Sequence, residues 1–289
     1  MSIATESRPT RRGLSFGSSS LAARSRRVLR ASARIAPGAL SFAGGLLVLI
    51  ALWQLAATAV GKDLPGPVAT SDTFWRLVSN PFFDNGPNDK GIGLQLFASL
   101  ERVFLGFLAG SAVAIPLGVA LGSSRVIRGV FDPVVQVLRP VSPLAWFPIG
   151  LVALSSAPHA AVFVVFITSL WPTVINTAFG VSTVPQAHKD VARVFEFSRS
   201  RYLMKVVLPH SLPHILVGLR LSMGIAWLVI VAAEMLSGGT GIGFYIWDSW
   251  NALNLEQVLS AILIIGVVGL LLDQAFALIG RWAAYTEVP

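Results

Sequence analysis

A chain of 289 residues with 54% apolar and only 12% charged residues, at a mean hydropathy of +0.70, is excluded from the soluble globular class, whose domains carry about a quarter charged residues. Cysteine is absent, which excludes disulfides and thiolate metal sites and leaves the compartment open. The net charge of +8 is no nucleic-acid signal, because residues 1–34 hold eight arginines against the single acid Glu6 and so carry +7 of it ahead of the first apolar run.

That Arg/Ser/Gly-rich tail, residues 1–38, reads as a disordered cytoplasmic segment that orients the first span. Its composition also matches an organelle transit peptide. The first span is expected at about 40–60. Residues 61–97 form a polar excursion whose Pro, Gly, Asn and Asp clusters mark turns, with a short surface helix around Thr70–Val78. A second span, about 100–121, places Gly106, Gly110, Ala114, Gly118 and Gly122 at every fourth position, a smooth ridge that lets another backbone come close. Arg125 and Arg128 mark a cytoplasmic turn.

The third segment, about 131–154, holds Pro133, Pro140, Pro143 and Pro148, so it must be kinked or partly unwound. Broken backbone at membrane depth needs protein or a wet cavity around it. The fourth span, about 160–179, has a further kink at Pro172. The fifth and sixth, about 214–236 and 258–279, flank a Gly-rich aromatic outer loop at 237–257. Six spans put both termini and residues 181–212 in the cytoplasm. The charges agree, with Lys189, Arg193, Arg199, Arg201 and Lys205 inside and only Asp248 and Glu256 in the outer loop. The apolar runs are continuous and do not alternate, which excludes a β-barrel. The expected fold class is an all-α membrane protein, with residues 39–285 as its transmembrane domain.

Lys189–Pro209 is a polar interruption in this apolar chain. Val191, Val194, Phe195, Phe197, Leu203, Val206 and Val207 recur at helical intervals, so 185–209 reads as one or two short amphipathic helices. Pro209 and Pro213 are expected to stop them before the fifth span. Such an insertion is either a solvated loop or a docking handle for another protein.

No GxxxxGK[ST] or HExxH pattern occurs, so the chain reads as no enzyme and as holding no cofactor. His210 and His214 are four apart, but Pro213 intervenes and no further ligand completes a metal set. Inside the spans stand the acids Glu234 and Asp273, with Arg102, Arg139 and Arg220 as nearby cations. The acids are either a proton relay, as in a secondary transporter, or partners of the arginines that lock helices together.

Asp190-Val191-Ala192, with Leu208-Pro209 eighteen residues after Asp190, resembles the EAA signature of binding-protein-dependent ABC importer permeases. That signature runs Glu-Ala-Ala, three residues, Gly, nine residues, Ile-x-Leu-Pro. Val206 takes the isoleucine place and Glu196 the glycine place, which leaves Arg199 or Ser200 open as the turning residue. Pro213 and Gly218-Leu219-Arg220 continue the pattern. The segments NPFFDNGPNDKGIGLQLFASLERV, PVVQVLRPVSPLAWFPI, FVVFITSLWPTVINTAFGV and GIGFYIWDSWN resemble the nitrate/bicarbonate/cyanate branch, nearest its nitrate permeases.

The resemblance implies a type I importer permease of six transmembrane helices in a bacterial inner membrane. It implies two copies, a homodimer, lining one path, an ABC ATPase that binds ATP-Mg, and an external binding protein. The cargo it implies is nitrate or nitrite, with bicarbonate, cyanate or a sulfonate such as taurine as alternatives. By the same resemblance, Asp190, Val191, Ala192, Arg193, Phe195, Glu196, Phe197, Arg199, Leu208 and Pro209 couple the chain to the ATPase. Because a small anion needs donors in a wet, partly positive channel, the path candidates are Arg139, Thr168, Ser169, Asn176, Ser222, Trp227 and Glu234. The alternative is that these residues only pack between helices.

Overall fold

The chain is represented by a computed structural model that describes residues 41, 43–86 and 89–285. The expected basic tail, residues 1–38, lies outside the described residues. The chain divides into two units, Met1–Pro67 and Val68–Pro289. In the first, helix α1 spans Ala43–Val60, and the Trp53 indole donates to the Pro65 carbonyl at 3.1 Å, folding the turn after the helix back onto it.

The second unit contains α2 (Pro67–Ser79, whose first residue belongs to the preceding unit), α3 (Ile92–Ser123), α4 (Arg125–Leu138), α5 (Phe147–Leu154), α6 (Ala157–Ser182), α7 (Gln186–Val194), α8 (Arg199–Tyr202), α9 (Leu208–Ser237), α10 (Ile242–Asn251) and α11 (Leu255–Tyr285). Among the described residues five helices are long and apolar enough to cross a membrane, or six when the bent pair α4–α5 counts as one.

The glycine ridge decides how α3 packs. A Cβ on Gly106 would meet Val162 O and Val165 at 2.7 Å, one on Gly118 would meet Thr177 at 2.6 Å, and one on Gly122 would meet Val181 and the Ala178 carbonyl. The ridge therefore seats α3 directly on the backbone of α6, as its four-residue spacing predicts. On its other side α6 meets α9. There Ser222 Oγ donates to the Ser169 carbonyl at 2.6 Å, and the Thr173 hydroxyl lies 2.8 Å from Ser222 Oγ. Serines and threonines between helices satisfy each other where no water reaches. The opposite face of α3 is apolar and open, with Leu105 and Leu108 more than half exposed, which suits contact with lipid.

Two sequence expectations are corrected, and the turning residue left open is found. The helix that holds the expected second span begins earlier than residue 100, at Ile92, and its first turns bury Gln95 and Ser99 with partners of their own. The prolines do not stop the helix at Leu208. A π-turn at Leu203–Val207 widens the ladder, Leu208 N–H bonds to the Leu203 carbonyl, and the helix runs on through Pro209 and Pro213. The wider π register leaves room for the Pro209 ring and for its missing N–H. Nor does the chain turn at Arg199 or Ser200. It turns at Glu196, whose φ of +48° is left-handed.

Candidate transport site

The proline-rich third segment breaks where its composition demands. α4 ends at Leu138, α5 starts at Phe147 after a short 3-10 turn at Pro143–Trp146, and the two segments are bent by 100°. The break opens a cavity of about 290 Å³ lined by Arg139, Val141, Pro143, Thr168, Trp171, Pro172, Ile175, Asn176, Leu221 and Ile225. A water occupies about 30 Å³ of liquid, so the space takes a small ion with part of its hydration shell.

Arg139 caps α4 and is exposed, and its guanidinium has no carboxylate partner among the described residues. Asn176 Nδ2 gives one hydrogen to the Pro172 carbonyl at 2.8 Å and keeps the other. The Thr168 hydroxyl donates to the Val164 carbonyl at 2.8 Å, so towards a ligand it only accepts. The cavity thus offers one full positive charge and few neutral donors against an apolar wall. An anion suits it and a cation does not.

The other path candidates lie elsewhere. Ser169 and Ser222 are used in the α6–α9 contact. The Trp227 indole donates to the Ile265 carbonyl at 3.1 Å and packs α9 on α11. Glu234 is completely buried and does not line the cavity. Sequence reasoning missed Leu221 and Ile225, which bring the exposed face of α9 to the cavity, and it read Pro172 only as a kink.

Both acids within the spans are paired. Glu234 takes Arg102 Nη1 at 2.6 Å, the Ser99 hydroxyl at 2.7 Å and the Gly243 amide at 3.1 Å. Gln95 and Ser99 accept the amides of Gly241 and Ile242, so the start of α10 is pinned to α3 and α9. Asp273 takes the Arg220 fork at 2.7 and 2.6 Å. The helix-locking reading fits both acids.

At the other end of α9 stand the coupling candidates. Asp190 accepts from Gln186 at 2.9 Å and from Arg193 at 3.3 Å. Phe197 N–H bonds to the Ala192 carbonyl and Glu196 N–H to the Arg193 carbonyl, a Schellman ending with Glu196 at the left-handed position. Ser198 then caps α8. Ala192 is buried, whereas Val191, Val194 and Phe195 are more than half exposed, so the open apolar surface belongs to those three. Arg201 sits over the Phe197 ring at 5.7 Å, and Arg193 and Arg199 line a hollow with Lys189 and Tyr202. His210 faces His188 and His214 faces Phe179, so the two histidines are spent on aromatic contacts.

Residues 106–285 match the family described as the binding-protein-dependent transport system inner membrane component. The chain belongs to this family. It is a permease subunit of the ABC importer kind, a multi-pass inner-membrane protein, and such permeases are not themselves enzymes. The permease is 48% identical over 232 residues to the nitrate import permease protein NrtB of Synechocystis sp., covering 80% of this chain and 84% of that protein. It is 45% identical over 241 residues to the bicarbonate transport system permease protein CmpB of Synechococcus elongatus, covering 82% and 87%. Its fold is similar to that of the MetNI methionine ABC transporter in an inward-facing conformation, at a TM-score of 0.59 and 16% identity, over 65% of this chain and 93% of that one.

Proposed function

We propose that this permease carries a small oxyanion, nitrate foremost, into the cell through a path that includes the Arg139 cavity. ATP hydrolysis by a partner ATPase drives the cycle, and an external binding protein delivers the anion. The observation that carries this reading is the Arg139 guanidinium at a broken helix, without a carboxylate partner among the described residues, lining a cavity large enough for a small anion with part of its hydration shell. The 48% identity to NrtB supports nitrate. The 45% identity to CmpB favours bicarbonate as the second reading.

In this reading residues 39–285 form the membrane domain, both termini face the cytoplasm, and two identical copies face each other across the path. Val191, Val194 and Phe195 seat on the ATPase, with Arg193, Arg199 and Arg201 setting the orientation. Because the helix is continuous from Arg199 to Ser237, movement of that handle reaches Leu221 and Ile225 in the cavity wall.

Reconstitution tests the whole reading. Proteoliposomes holding permease, cognate ATPase and binding protein should take up labelled nitrate only with ATP. An ion gradient across vesicles holding the permease alone should drive none, and uptake there would favour a secondary transporter. Competition by bicarbonate stronger than by nitrite would move the assignment to the second reading.

A further inference from the structure

Arg220 and Asp273 are joined as a two-pronged fork, Nε to Oδ1 at 2.7 Å and Nη2 to Oδ2 at 2.6 Å. Each lies six residues inside the α7–α8 end of an expected span, 214–236 and 258–279, which is about 9 Å deep at 1.5 Å per residue. Both side chains are nonetheless open, at 45% and 49% exposure. Charges at membrane depth normally face a protein interior or a wet cavity, because facing lipid costs several kcal/mol. Arg220 Nη1 has no acceptor among the described residues, so that nitrogen still holds two free N–H groups.

The surroundings say which way they face. The exposed face of α9 is formed by Val217, Arg220, Leu221, Gly224, Ile225 and Leu228. Leu221 and Ile225 on it line the Arg139 cavity. Gly224 is open, with nothing within 4 Å of where a Cβ would stand. The face that begins at the cavity therefore continues without a break to the Arg220–Asp273 fork.

We propose that Arg220 is a second anion station on the path, on the α7–α8 side of the Arg139 cavity, and that Asp273 holds its affinity down. The proposal rests on the reading of that cavity as part of the path. A station that passes an anion onward must attract it and then let it go. A lone arginine in a narrow space would hold an anion; an arginine already gripped on one edge offers only the other edge and little net charge. Asp273 is a positioning residue, acting on the anion through Arg220.

The chain lacks cysteine, so a single introduced thiol reports cleanly. Gly224→Cys fits the open space, and Leu108→Cys, on the face of α3 away from its glycine ridge, is the lipid-facing control. Proteoliposomes of the full complex are treated on both faces with membrane-impermeant methanethiosulfonates, one anionic and one cationic. The Gly224→Cys protein should react far faster than the Leu108→Cys protein and faster with the anionic reagent, and nitrate should slow that reaction. In the Gly224→Cys background, Asp273→Asn should raise the anionic preference to about tenfold, the effect of one uncompensated charge roughly 6 Å away in water. Arg220→Gln should reverse the preference and abolish the nitrate effect, and Arg220→Lys, which keeps the charge, should retain both in weaker form. A thiol at position 224 as inert as the one at position 108, or blind to reagent charge and nitrate, overturns the proposal. Nitrate uptake by vesicles with the unsubstituted chain runs alongside: its absence sinks the proposed function, whereas normal uptake with an inert Gly224→Cys thiol sinks this inference alone.

Discussion

Arg102 Nη1 binds Glu234 Oε1 at 2.6 Å, and the same nitrogen also donates to the Thr240 carbonyl at 2.6 Å. One guanidinium thus ties the loop before α10 to the carboxylate that ends α9. The glutamate is fully enclosed and the arginine side chain is 15% exposed, so the pair lives in a medium where an unmatched charge is severe. Arg102→Met should cost about 3–5 kcal/mol, because it leaves a buried carboxylate uncompensated. Arg102→Met combined with Glu234→Leu should recover part of that loss, since no charge is then stranded. Melting of the purified permease in detergent measures both; an unmoved melting temperature in the single variant would remove the pair from the stability argument.

The α3–α6 contact makes a sharper mechanical prediction. A side chain at Gly118 must displace Thr177 and the Val174 carbonyl, and backbone does not yield as a flexible side chain does. Gly118→Leu should reduce folded permease severely, by the roughly 1–3 kcal/mol or more of overpacking a close contact. Gly266→Ala is the matched control, because nothing lies within 4 Å of its Cβ position on α11. It should be neutral or stabilise by up to about 1 kcal/mol from helix propensity. Size-exclusion profiles of the two proteins would separate a packing effect from a general intolerance of membrane glycines.

At Glu196 the left-handed turn falls on a residue that adopts it at a cost of about 1–2 kcal/mol. Glu196→Gly removes that strain and loosens the unfolded chain, for a net change between zero and about 1 kcal/mol of stabilisation. Glu196→Val should be clearly destabilising, since a β-branched residue resists positive φ more strongly. Amide exchange at Phe197, whose N–H closes the turn onto Ala192, reads the effect locally. Slower exchange in the valine variant than in the native chain would contradict it.

How much of this was legible in the sequence follows from the range of each interaction. The glycine ridge and the proline break were readable because each is set by residue type at a fixed spacing, whereas the arginine–acid pairing joins residues far apart in the chain and was one of two readings left open. The turn at Glu196 was not, because propensity argues against glutamate at positive φ while the Schellman bonds from Phe197 and Glu196 outweigh that preference. The passage of the helix through Pro209 was hidden as well, since only the π register at Leu203–Val207 makes room for it. For the cavity, Arg139, Thr168 and Asn176 were found by polarity. Leu221 and Ile225 carry no polar signal, and only the bend between α4 and α5 brings them to the same space.

The pH response at high pH should centre on Tyr245. Burial pushes its hydroxyl up to about 12 from an ordinary value of 10, and Asp248 acts in the same direction. The folded state therefore holds this proton more tightly than the unfolded state does. Its contribution is intact below pH 10 and is lost as the pH rises towards 12. Tyr245→Phe should flatten that alkaline limb. At neutral pH it should change stability little, because the buried hydroxyl has no hydrogen-bond partner among the described residues. An unchanged alkaline limb in the variant would assign the loss to other groups.

Arg139 carries the functional claim, so its replacement must separate charge from shape. Arg139→Gln keeps a polar side chain at the break and removes the only formal charge lining the cavity among the described residues. One charge about 4 Å from an anion is worth roughly 1 kcal/mol in water and about 4 kcal/mol at an effective dielectric of 20. Uptake should therefore fall by at least about fivefold, and further if the path is narrow when occupied. Arg139→Lys should recover a large part, because a point charge suffices where no second carboxylate or fork geometry is involved. ATP hydrolysis stimulated by the binding protein should continue in Arg139→Gln, since the α7–α8 handle is untouched, and the complex should then waste ATP without moving anion. Measured together, nitrate flux and ATP turnover decide the role. A parallel loss of both would make Arg139 a structural residue of the break, and a loss of flux alone would make it a contact of the anion.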